Sequence, residues 1–346
     1  MARALIALGS NLGDRGGTLD AAVAAVSRLP QTWLLATSSW IESAPIGPPQ
    51  PAYLNGALLV ETSLEPLDLL DRLKSIENAA GRVRTLHWGP RTLDLDLLLY
   101  ADRVCDDHRL TLPHPRVALR RFVLEPAAQI AAAMVHPTTG MTIGELLARF
   151  NSTPAYVAVM GPPGSGKTRL AQEVAQRSGA LLLLDPEGAE VMVRTSAPSP
   201  FDERSPTNSA SPAIDREIEF LARRSRLIAV ENQPPGRAMI SDFWLAQSLA
   251  WSEAEYGADI AARVEAAYRK FESRVLPARF LAVLDVGPRQ TERTGDAGSA
   301  AGGDFYGRVR SAMRSLVRRP GQPPAVWLAT DNWENAVAEV LAALAG

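Results

Sequence analysis

The pattern of strands and helices along this chain of 346 residues stops and starts afresh between residues 151 and 154. This segment, Asn-Ser-Thr-Pro, consists of residues typical of a connection between domains. Because the chain is much longer than a typical domain of roughly 150 residues, we expect two domains. The expected boundaries are residues 1–150, a linker at 151–154, and residues 155–346.

Composition limits the partners that such a chain can have. The formal net charge is −2 and the hydrophobic content is 46%, so no general attraction to nucleic acid or to an anionic membrane is expected. No stretch approaches 18 consecutive apolar residues, and the polar N-terminus lacks the apolar core of a secretory signal. With Cys105 as its single cysteine, the chain cannot form an internal disulfide. We therefore expect a cytoplasmic protein whose partners are small-molecule substrates.

Short apolar runs and helical periodicities alternate in the first half. Strands are predicted at residues 3–8, 33–41, 53–62 and 93–99, and helices at residues 18–29, 65–79, 118–132 and 142–150. Strands and helices interleaved with short gaps favour an α+β fold.

The second half alternates between predicted strands and helices, which is typical of an α/β domain with a parallel sheet. Strands are predicted at residues 156–160, 180–184, 226–230, 238–241, 280–285 and 325–329, with helices between most of them. Two segments rich in small or turn-forming residues, 195–212 and 295–303, are expected to be loops.

Two aspartates on one predicted strand are the most informative chemical feature. Asp94 and Asp96 are two residues apart, so their carboxylates lie on the same face of the strand. Like charges at that distance repel unless a cation neutralises them, and paired carboxylates with substrate phosphates are what Mg²⁺ accepts. A solvated strand face would show the same spacing, so the surroundings must decide between the two interpretations.

Arginines surround the aspartate pair in the sequence. Five of them fall within about forty residues: Arg82, Arg84, Arg91, Arg109 and Arg120. Arginine forks bind phosphate oxygens in pairs, and phosphoryl transfer depends on positioning and on charge neutralisation. The combination favours a metal-dependent phosphoryl-transfer site.

The first domain resembles 6-hydroxymethyl-7,8-dihydropterin pyrophosphokinase. The matching segments, in family order, are residues 7–15 (ALGSNLGDR), 53–55 (YLN), 81–84 (GRVR), 88–96 (WGPRTLDLD), 109–115 (RLTLPHP) and 120–124 (RRFVL). The resemblance implies a ferredoxin-like α+β fold, ATP as the donor and two Mg²⁺ ions.

The resemblance also assigns roles to individual residues. Asp94 and Asp96 match the metal-binding carboxylates, and Arg82 and Arg91 would neutralise charge on the transferred group. The pterin side would comprise Ser43, Ala44, Pro45, Gly47, Tyr53, Asn55, Trp88, Arg120 and Phe122. The ATP side would comprise Glu77, Arg84, Arg91, Leu97, Arg109, Thr111 and His114. Lys74 and His87 depart from the residues common in the family, which affects the expected rate more than the reaction.

The second half begins with a phosphate-binding motif. Residues 161–168 (GPPGSGKT) fit G-x-x-x-x-G-K-[ST] between an apolar strand and a helix, which is the context the motif requires. The loop glycines Gly161, Gly164 and Gly166 allow backbone N–H groups to cradle phosphates, Lys167 reaches the terminal phosphates, and Thr168 would hold one Mg²⁺ ion.

The remainder weakly resembles P-loop deoxynucleoside kinases. Asp185 lies near the position of that family's acidic residue for the sugar hydroxyl, and Asp242 lies in the stretch matching its Asp-Arg segment. Phe243 replaces the arginine of that segment, and Glu217 stands where a base-reading glutamine is usual. The domain is therefore expected to bind nucleotide, either as a divergent nucleoside kinase or as a non-catalytic regulatory or structural module.

Overall fold

A computed structural model describes residues 1–45, 50–81, 89–162, 164–186, 211–285, 302–319 and 321–345. The chain forms two compact units. The first consists of Met1–Ser152 with Leu341–Gly346, and the second of Thr153–Val340. In the described part of the chain, no helix is long and apolar enough to cross a membrane.

The first unit is built on an antiparallel sheet. Its strands are β1 (Ala2–Ser10), β2 (Thr32–Thr37), β3 (Ile41–Ser43), β4 (Tyr53–Thr62) and β5 (Asp94–Tyr100), and a separate ribbon pairs β6 (Cys105–Asp106) with β7 (Thr111–Leu112). Its helices are α1 (Arg15–Ser27), α2 (Pro66–Ala79), α3 (Arg121–Ala131) and α4 (Ile143–Ser152). The main sheet has the order β2-β4-β1-β5, and β3 also pairs with β4.

Helices cover both faces of this sheet, and alternation along β1 shows how. Ile6 and Leu8 point into one core, which α1 and α2 complete through residues such as Leu19 and Leu73. Leu5 and Ala7 point into the opposite core, to which α3 and α4 contribute. Because both faces are covered, β1 is continuously buried from residue 4 onward.

The predicted strand at 33–41 is interrupted. The side chain of Ser38 accepts a hydrogen bond from the backbone N–H of Ala57 at 2.8 Å, and Trp40 turns inward against Gly56. The segment therefore pairs with β4 as two strands, β2 and β3.

Gly56 is the position in this sheet where a side chain would be most harmful. A Cβ atom there would overlap the ring of Trp40, whose Nε1 donates to Asp20 Oδ1 at 3.2 Å. Because the ring would have to leave its packed position, we expect Gly56→Ala to lower the free energy of unfolding by about 1–3 kcal/mol. Chemical denaturation measures this loss. Gly16→Ala in α1 is the matched control: its Cβ would come no closer than 3.9 Å to the Asp14 side chain, so a comparable loss there would contradict the packing argument.

The second unit contains a parallel sheet, as the alternation of strand and helix patterns in its sequence predicted. Its strands are β8 (Tyr156–Met160), β9 (Leu181–Leu183), β10 (Met239–Ser241), β11 (Phe280–Asp285) and β12 (Ala325–Ala329). They lie in the order β12-β11-β8-β10-β9, and the neighbouring pairs are all parallel. The helices are α5 (Lys167–Ser178), α6 (Ser211–Leu227), α7 (Gln247–Tyr256), α8 (Ala258–Glu272), α9 (Gly302–Val317) and α10 (Trp333–Ala345).

The prediction of a strand at 226–230 was wrong. Helix α6 runs to Leu227, and residues Val230–Asn232 form a single 3-10 turn. The buried residues Leu221 and Ile228 belong to one apolar core. A short apolar run at the end of a helix has the same local pattern as a buried strand, and only packing distinguishes them. Of the two predicted loops, residues 195–210 and 295–301 lie outside the described residues, and the remaining residues form the first turns of α6 and α9.

Candidate active site

A cavity of about 200 Å³ opens where β1, β4 and β5 lie side by side in the first unit. Gly9 pairs with Asn55 on one neighbouring strand and with Asp94 on the other. Ala7 in the same way lies between Ala57 and Asp96. With strands roughly 4.8 Å apart, Asn55 and Asp94 are separated by roughly 10 Å across a floor of small residues. Because Gly9 and Ala7 of β1 are small, they leave space for a ligand between the amide of Asn55 and the carboxylates of Asp94 and Asp96.

The structure brings together most of the residues that the sequence analysis assigned to the first site. The following of them line the cavity: Ser43, Ala44, Tyr53, Asn55, Glu77, Arg91, Asp94, Asp96, Arg120 and Phe122. Their contributions come from β3, β4, α2, β5 and the start of α3.

Other predicted residues lie elsewhere. Leu97 is buried in the core beneath the sheet, and Leu95 lines the cavity instead. Arg109 is half-exposed and forms an ion pair with Asp71 at 2.5 Å. Pro45 and Thr111 are not among the lining residues. Gly47, Arg82, Arg84 and Trp88 lie outside the described residues.

The two aspartates have different surroundings. Asp94 Oδ2 accepts a hydrogen bond from Arg91 at 2.6 Å. For Asp96, burial alone would raise the pKa of the carboxyl, but surrounding positive charge outweighs burial and lowers that pKa. The groups responsible are His114, Arg120, Arg91 and Arg116. The positive charge around Asp96 therefore favours the ionised form of that carboxylate.

His114 lies next to this pair and is held by β5. Its backbone N–H donates to the carbonyl of Leu98 at 2.8 Å. Burial lowers the pKa of the His114 ring, while the negative charge of Asp96 opposes this shift.

Glu77 anchors the strand that carries the aspartates. Its buried carboxylate accepts a hydrogen bond from the backbone N–H of Leu95, between Asp94 and Asp96, at 2.7 Å. The start of β5 is thereby fixed relative to α2.

Asn11 is a site residue to which the sequence analysis gave no role. It is buried, its Oδ1 accepts from the backbone N–H of Arg91 at 2.7 Å, and its own N–H donates to the carbonyl of Arg91 at 3.1 Å. Its Nδ2 donates to Gln50 Oε1 at 3.0 Å and to the carbonyl of Pro51 at 3.1 Å. Asn11 therefore ties the segment before Tyr53 to the arginine that holds Asp94. A polar residue directly after a buried strand was the available signal.

Away from the aspartates, the cavity is lined by the aromatic rings of Tyr53 and Phe122 and by the amide of Asn55. The hydroxyl of Tyr53 donates to the carbonyl of Gly89 at 3.3 Å, and Asn55 Nδ2 donates to Ser43 Oγ at 2.8 Å. The guanidinium of Arg120 lies 5.6 Å from the ring centre of Phe122. Flat rings with a nearby amide suit a flat heterocycle whose edge can form hydrogen bonds.

The donor set at Asp94 and Asp96 fits a magnesium ion bound jointly with a substrate. No group of three or more histidine, cysteine, aspartate or glutamate side chains that could hold a metal occurs among the described residues. Mg²⁺ commonly takes one or two carboxylates and completes its shell with phosphate oxygens and water. The two carboxylates of Asp94 and Asp96, which face a cavity large enough for a ligand, meet that requirement.

The second unit presents the glycine-rich loop of the predicted phosphate-binding motif at the carboxyl end of β8. Gly166 has φ +93°, in the left-handed region that glycine tolerates, and α5 begins immediately after it. Lys167 Nζ donates to the carbonyl of Pro162 at 3.1 Å, and Thr168 Oγ1 donates to Asp242 Oδ2 at 2.6 Å.

Asp242 completes this second site. It follows β10, the neighbour of β8, and its other carboxylate oxygen accepts from the backbone N–H of Asp185 at 2.6 Å. An acidic side chain that bonds the loop threonine occupies the place where P-loop proteins hold Mg²⁺. The sequence analysis placed Asp242 in a kinase-like segment but did not assign it to the metal.

Asp185 is engaged by a buried arginine. Its carboxylate accepts from Arg224 Nε at 3.1 Å and from Arg224 NH2 at 2.7 Å, and Arg224 NH1 donates to Ser248 Oγ at 2.8 Å. The side chains of Arg224 and Asp185 are only 5% and 12% exposed. The Arg224 guanidinium therefore links the loop after β9 to α6 and α7.

An aromatic ring rests against the phosphate-binding loop. A Cβ at Gly166 would lie 3.3 Å from the ring of Trp333. The guanidinium of Arg169 lies 4.3 Å from the centre of that ring. Trp333 Nε1 donates to Glu173 Oε2 at 2.7 Å. Helix α10 thus begins directly beside the loop.

The fold and the first site define a class of protein, an enzyme of phosphoryl transfer whose cavity contains a pair of aspartates. Residues 5–132 match the family model of 7,8-dihydro-6-hydroxymethylpterin-pyrophosphokinase. The 2-amino-4-hydroxy-6-hydroxymethyldihydropteridine pyrophosphokinase of Haemophilus influenzae is 48% identical over 151 residues, which are 43% of this chain and 94% of that protein. The protein of the same name from Pseudomonas aeruginosa is 48% identical over 147 residues, 42% of this chain and 90% of that protein.

The chain belongs to the 7,8-dihydro-6-hydroxymethylpterin-pyrophosphokinase family.

Among solved structures, deoxyadenosine kinase from M. mycoides with bound dATP is similar with a TM-score of 0.41 and 14% sequence identity. The match covers 54% of this chain and 96% of that chain.

Proposed function

We propose that the first unit transfers a diphosphate from ATP to the hydroxyl of 6-hydroxymethyl-7,8-dihydropterin and releases AMP, a step of folate biosynthesis. The observation that carries the proposal is one cavity in which the carboxylates of β5 and the amide of Asn55 on β4 lie on opposite sides of β1. Asp94, Asp96 and Arg91 form an end suited to metal and phosphate, and Tyr53, Asn55 and Phe122 form an end suited to a flat heterocycle. The names of the relatives agree with this pairing of substrates.

In this proposal the substrate hydroxyl oxygen attacks the β-phosphorus of ATP, and AMP leaves. Asp94 and Asp96 would hold two Mg²⁺ ions, which would screen the negative charge of the phosphates. Arg91, fixed through Asn11 and Asp94, neutralises charge on the transferred group. Asn55 and the aromatic rings hold the pterin so that its hydroxymethyl group points toward the carboxylates.

The remaining predicted residues of this site keep their proposed roles. Arg82 and Arg84 would contribute further positive charge, and Gly47, Pro45 and Trp88 would close over the pterin. Thr111 and His114 would face the nucleotide. Arg109, which is half-exposed and paired with Asp71, would bind a phosphate instead. The strand order β2-β4-β1-β5, with α1 and α2 leading into strands of this sheet, supports the ferredoxin-like fold that the family resemblance implies.

A direct assay tests the proposal. Purified full-length protein is incubated with ATP, Mg²⁺ and 6-hydroxymethyl-7,8-dihydropterin, and AMP and the pterin diphosphate are quantified. Pterin-dependent formation of equal amounts of both products is expected. Absence of the pterin diphosphate, or AMP formation that is independent of the pterin, would overturn the assignment.

We also propose that residues 1–150 are an independent catalytic domain. The relative from Haemophilus influenzae is almost entirely covered by 151 residues of this chain, so a protein of about that length exists by itself. A truncated protein ending at Ser152 is therefore expected to fold and to form AMP at a rate within a few-fold of the full chain. Circular dichroism and the AMP assay check this. A folded but inactive truncated protein would show that the second unit completes the site.

For the second unit we propose nucleotide binding at the P-loop, with Lys167 on the phosphates and with Thr168 and Asp242 holding one Mg²⁺ ion. The unit would then be either a divergent nucleoside kinase or a non-catalytic module. The buried fork between Asp185 and Arg224 favours the second alternative, because a carboxylate committed to two guanidinium hydrogen bonds is poorly placed to activate an acceptor hydroxyl.

A further inference from the structure

Arg116 lies in the wall of the first unit's cavity, and no role was assigned to it from the sequence. It stands immediately before a single 3-10 turn at Val117–Leu119, between β7 and α3. Its backbone N–H donates to Nδ1 of His114 at 3.3 Å. His114 is itself bonded to the carbonyl of Leu98, so Arg116 belongs to a segment that is attached to the strand of the two aspartates.

The charge around the cavity indicates what kind of ligand Arg116 faces. The described lining residues include four cationic side chains, Lys74, Arg91, Arg116 and Arg120, and three carboxylates, Glu77, Asp94 and Asp96. Glu77 accepts a backbone hydrogen bond, and Asp94 is held by Arg91. The positive charge of Arg116 acts on Asp96 and on His114. It therefore lies at the carboxylate end of the cavity.

The two proposed substrates differ in what they need at that end. A pterin ring is uncharged and requires stacking and amide contacts, which Tyr53, Asn55 and Phe122 provide at the other end. A nucleoside triphosphate is a polyanion, and the guanidinium fork matches pairs of phosphate oxygens. A cation beside Asp96 is thus of use to the phosphates and of little use to the pterin.

We propose that Arg116 is an additional phosphate-binding residue, which holds the triphosphate of ATP beside Asp96 and orients it for transfer. The inference rests on the proposed function of the first unit and assigns a specific residue to its nucleotide side.

The test compares Arg116→Ala and Arg116→Lys with the wild-type full-length protein. We expect Arg116→Ala to raise the KM for ATP roughly 10-fold and to lower kcat roughly 10- to 100-fold, since a charge-assisted contact is lost in the transition state as well. The KM for the pterin should stay within about twofold of wild type, and Arg116→Lys should restore part of the loss because it keeps the charge but not the fork. Unchanged kinetics in Arg116→Ala would overturn the proposal.

A neighbouring arginine provides the matched control. Arg121 has a 49% exposed side chain, pairs with Glu125 at 3.3 Å and does not line the cavity. Arg121→Ala should leave both KM values and kcat unchanged. An equal effect of the two alanine substitutions would mean that any loss of positive charge in this region slows the enzyme, which also contradicts a specific contact.

Two further measurements isolate the phosphate contact from indirect effects of the substitution. If Arg116 acted only by supporting Asp96, its loss would raise the Mg²⁺ concentration needed for activity and leave the ATP dependence at saturating Mg²⁺ unchanged, and that outcome would overturn the proposal. Calorimetric binding of Mg·ATP, measured with Arg116→Ala added to a Lys167→Ala protein, should be roughly 10-fold weaker than in Lys167→Ala alone. Because binding requires no turnover, this result distinguishes a failure of the phosphate contact from a failure of the proposed reaction.

Discussion

Replacing Asp94 or Asp96 with alanine is expected to lower the rate of AMP formation by a factor on the order of 10³ or more. Both carboxylates face the cavity, one paired with Arg91 and the other surrounded by positive charge that keeps it ionised. In the proposed mechanism, removing either one takes away a ligand of the Mg²⁺ that would screen the phosphates. Steady-state kcat at saturating ATP, Mg²⁺ and pterin measures the effect.

Asp102 is the control for this experiment. It is exposed, follows β5 by two residues and lies outside the cavity lining, so Asp102→Ala should retain wild-type kcat. If kcat for Asp94→Ala and Asp96→Ala stays within tenfold of wild type, the assignment of these carboxylates as Mg²⁺ ligands is contradicted. Thermal unfolding of each variant excludes loss of the fold as the cause.

Replacing Lys167 with alanine is expected to weaken Mg·ATP binding at the second unit roughly 10- to 150-fold, the equivalent of one lost hydrogen bond between charged groups. In the structure, Lys167 is folded onto the carbonyl of Pro162 within the loop, from which it can turn to a phosphate. Calorimetry of the full chain should show two ATP-binding events, of which the substitution weakens one. Lys270→Ala, at an exposed position on α8, should weaken neither.

Phosphorylation of deoxynucleosides by the second unit is expected to be slow or undetectable even where ATP binds. Asp185 is tied to Arg224. By the sequence resemblance to deoxynucleoside kinases, the buried Phe243 and Glu217 would stand where an arginine and a base-reading amide are usual. Rapid transfer from radiolabelled ATP to a common deoxynucleoside would show that the fork opens during turnover and that the second unit is a working kinase. Two ATP-binding events without transfer would support a nucleotide-binding module.

Sequence patterns were sufficient wherever function depends on a few adjacent residues. The spacing of Asp94 and Asp96 places both carboxylates on one strand face, and the loop ending at Lys167 and Thr168 has glycines where the backbone must turn. The strands of both sheets were also predictable, because apolar runs bounded by turn residues are local signals. The run at 226–230 was misassigned for the same reason, since its local signal does not distinguish the end of a helix from a strand.

The sequence by itself thus determined the family, the placement of Asp94 and Asp96 on one strand face and the glycine-rich turn before Lys167, because covalent spacing fixes which side chains are neighbours. Only the tertiary structure decided which distant residues join them. Asn11 reaches Arg91, Asp242 reaches Thr168, and Arg224 engages Asp185 across separations of 80, 74 and 39 residues. Such contacts depend on strand order and on which helix packs over which strand, and these follow from the burial of whole apolar faces rather than from any local pattern.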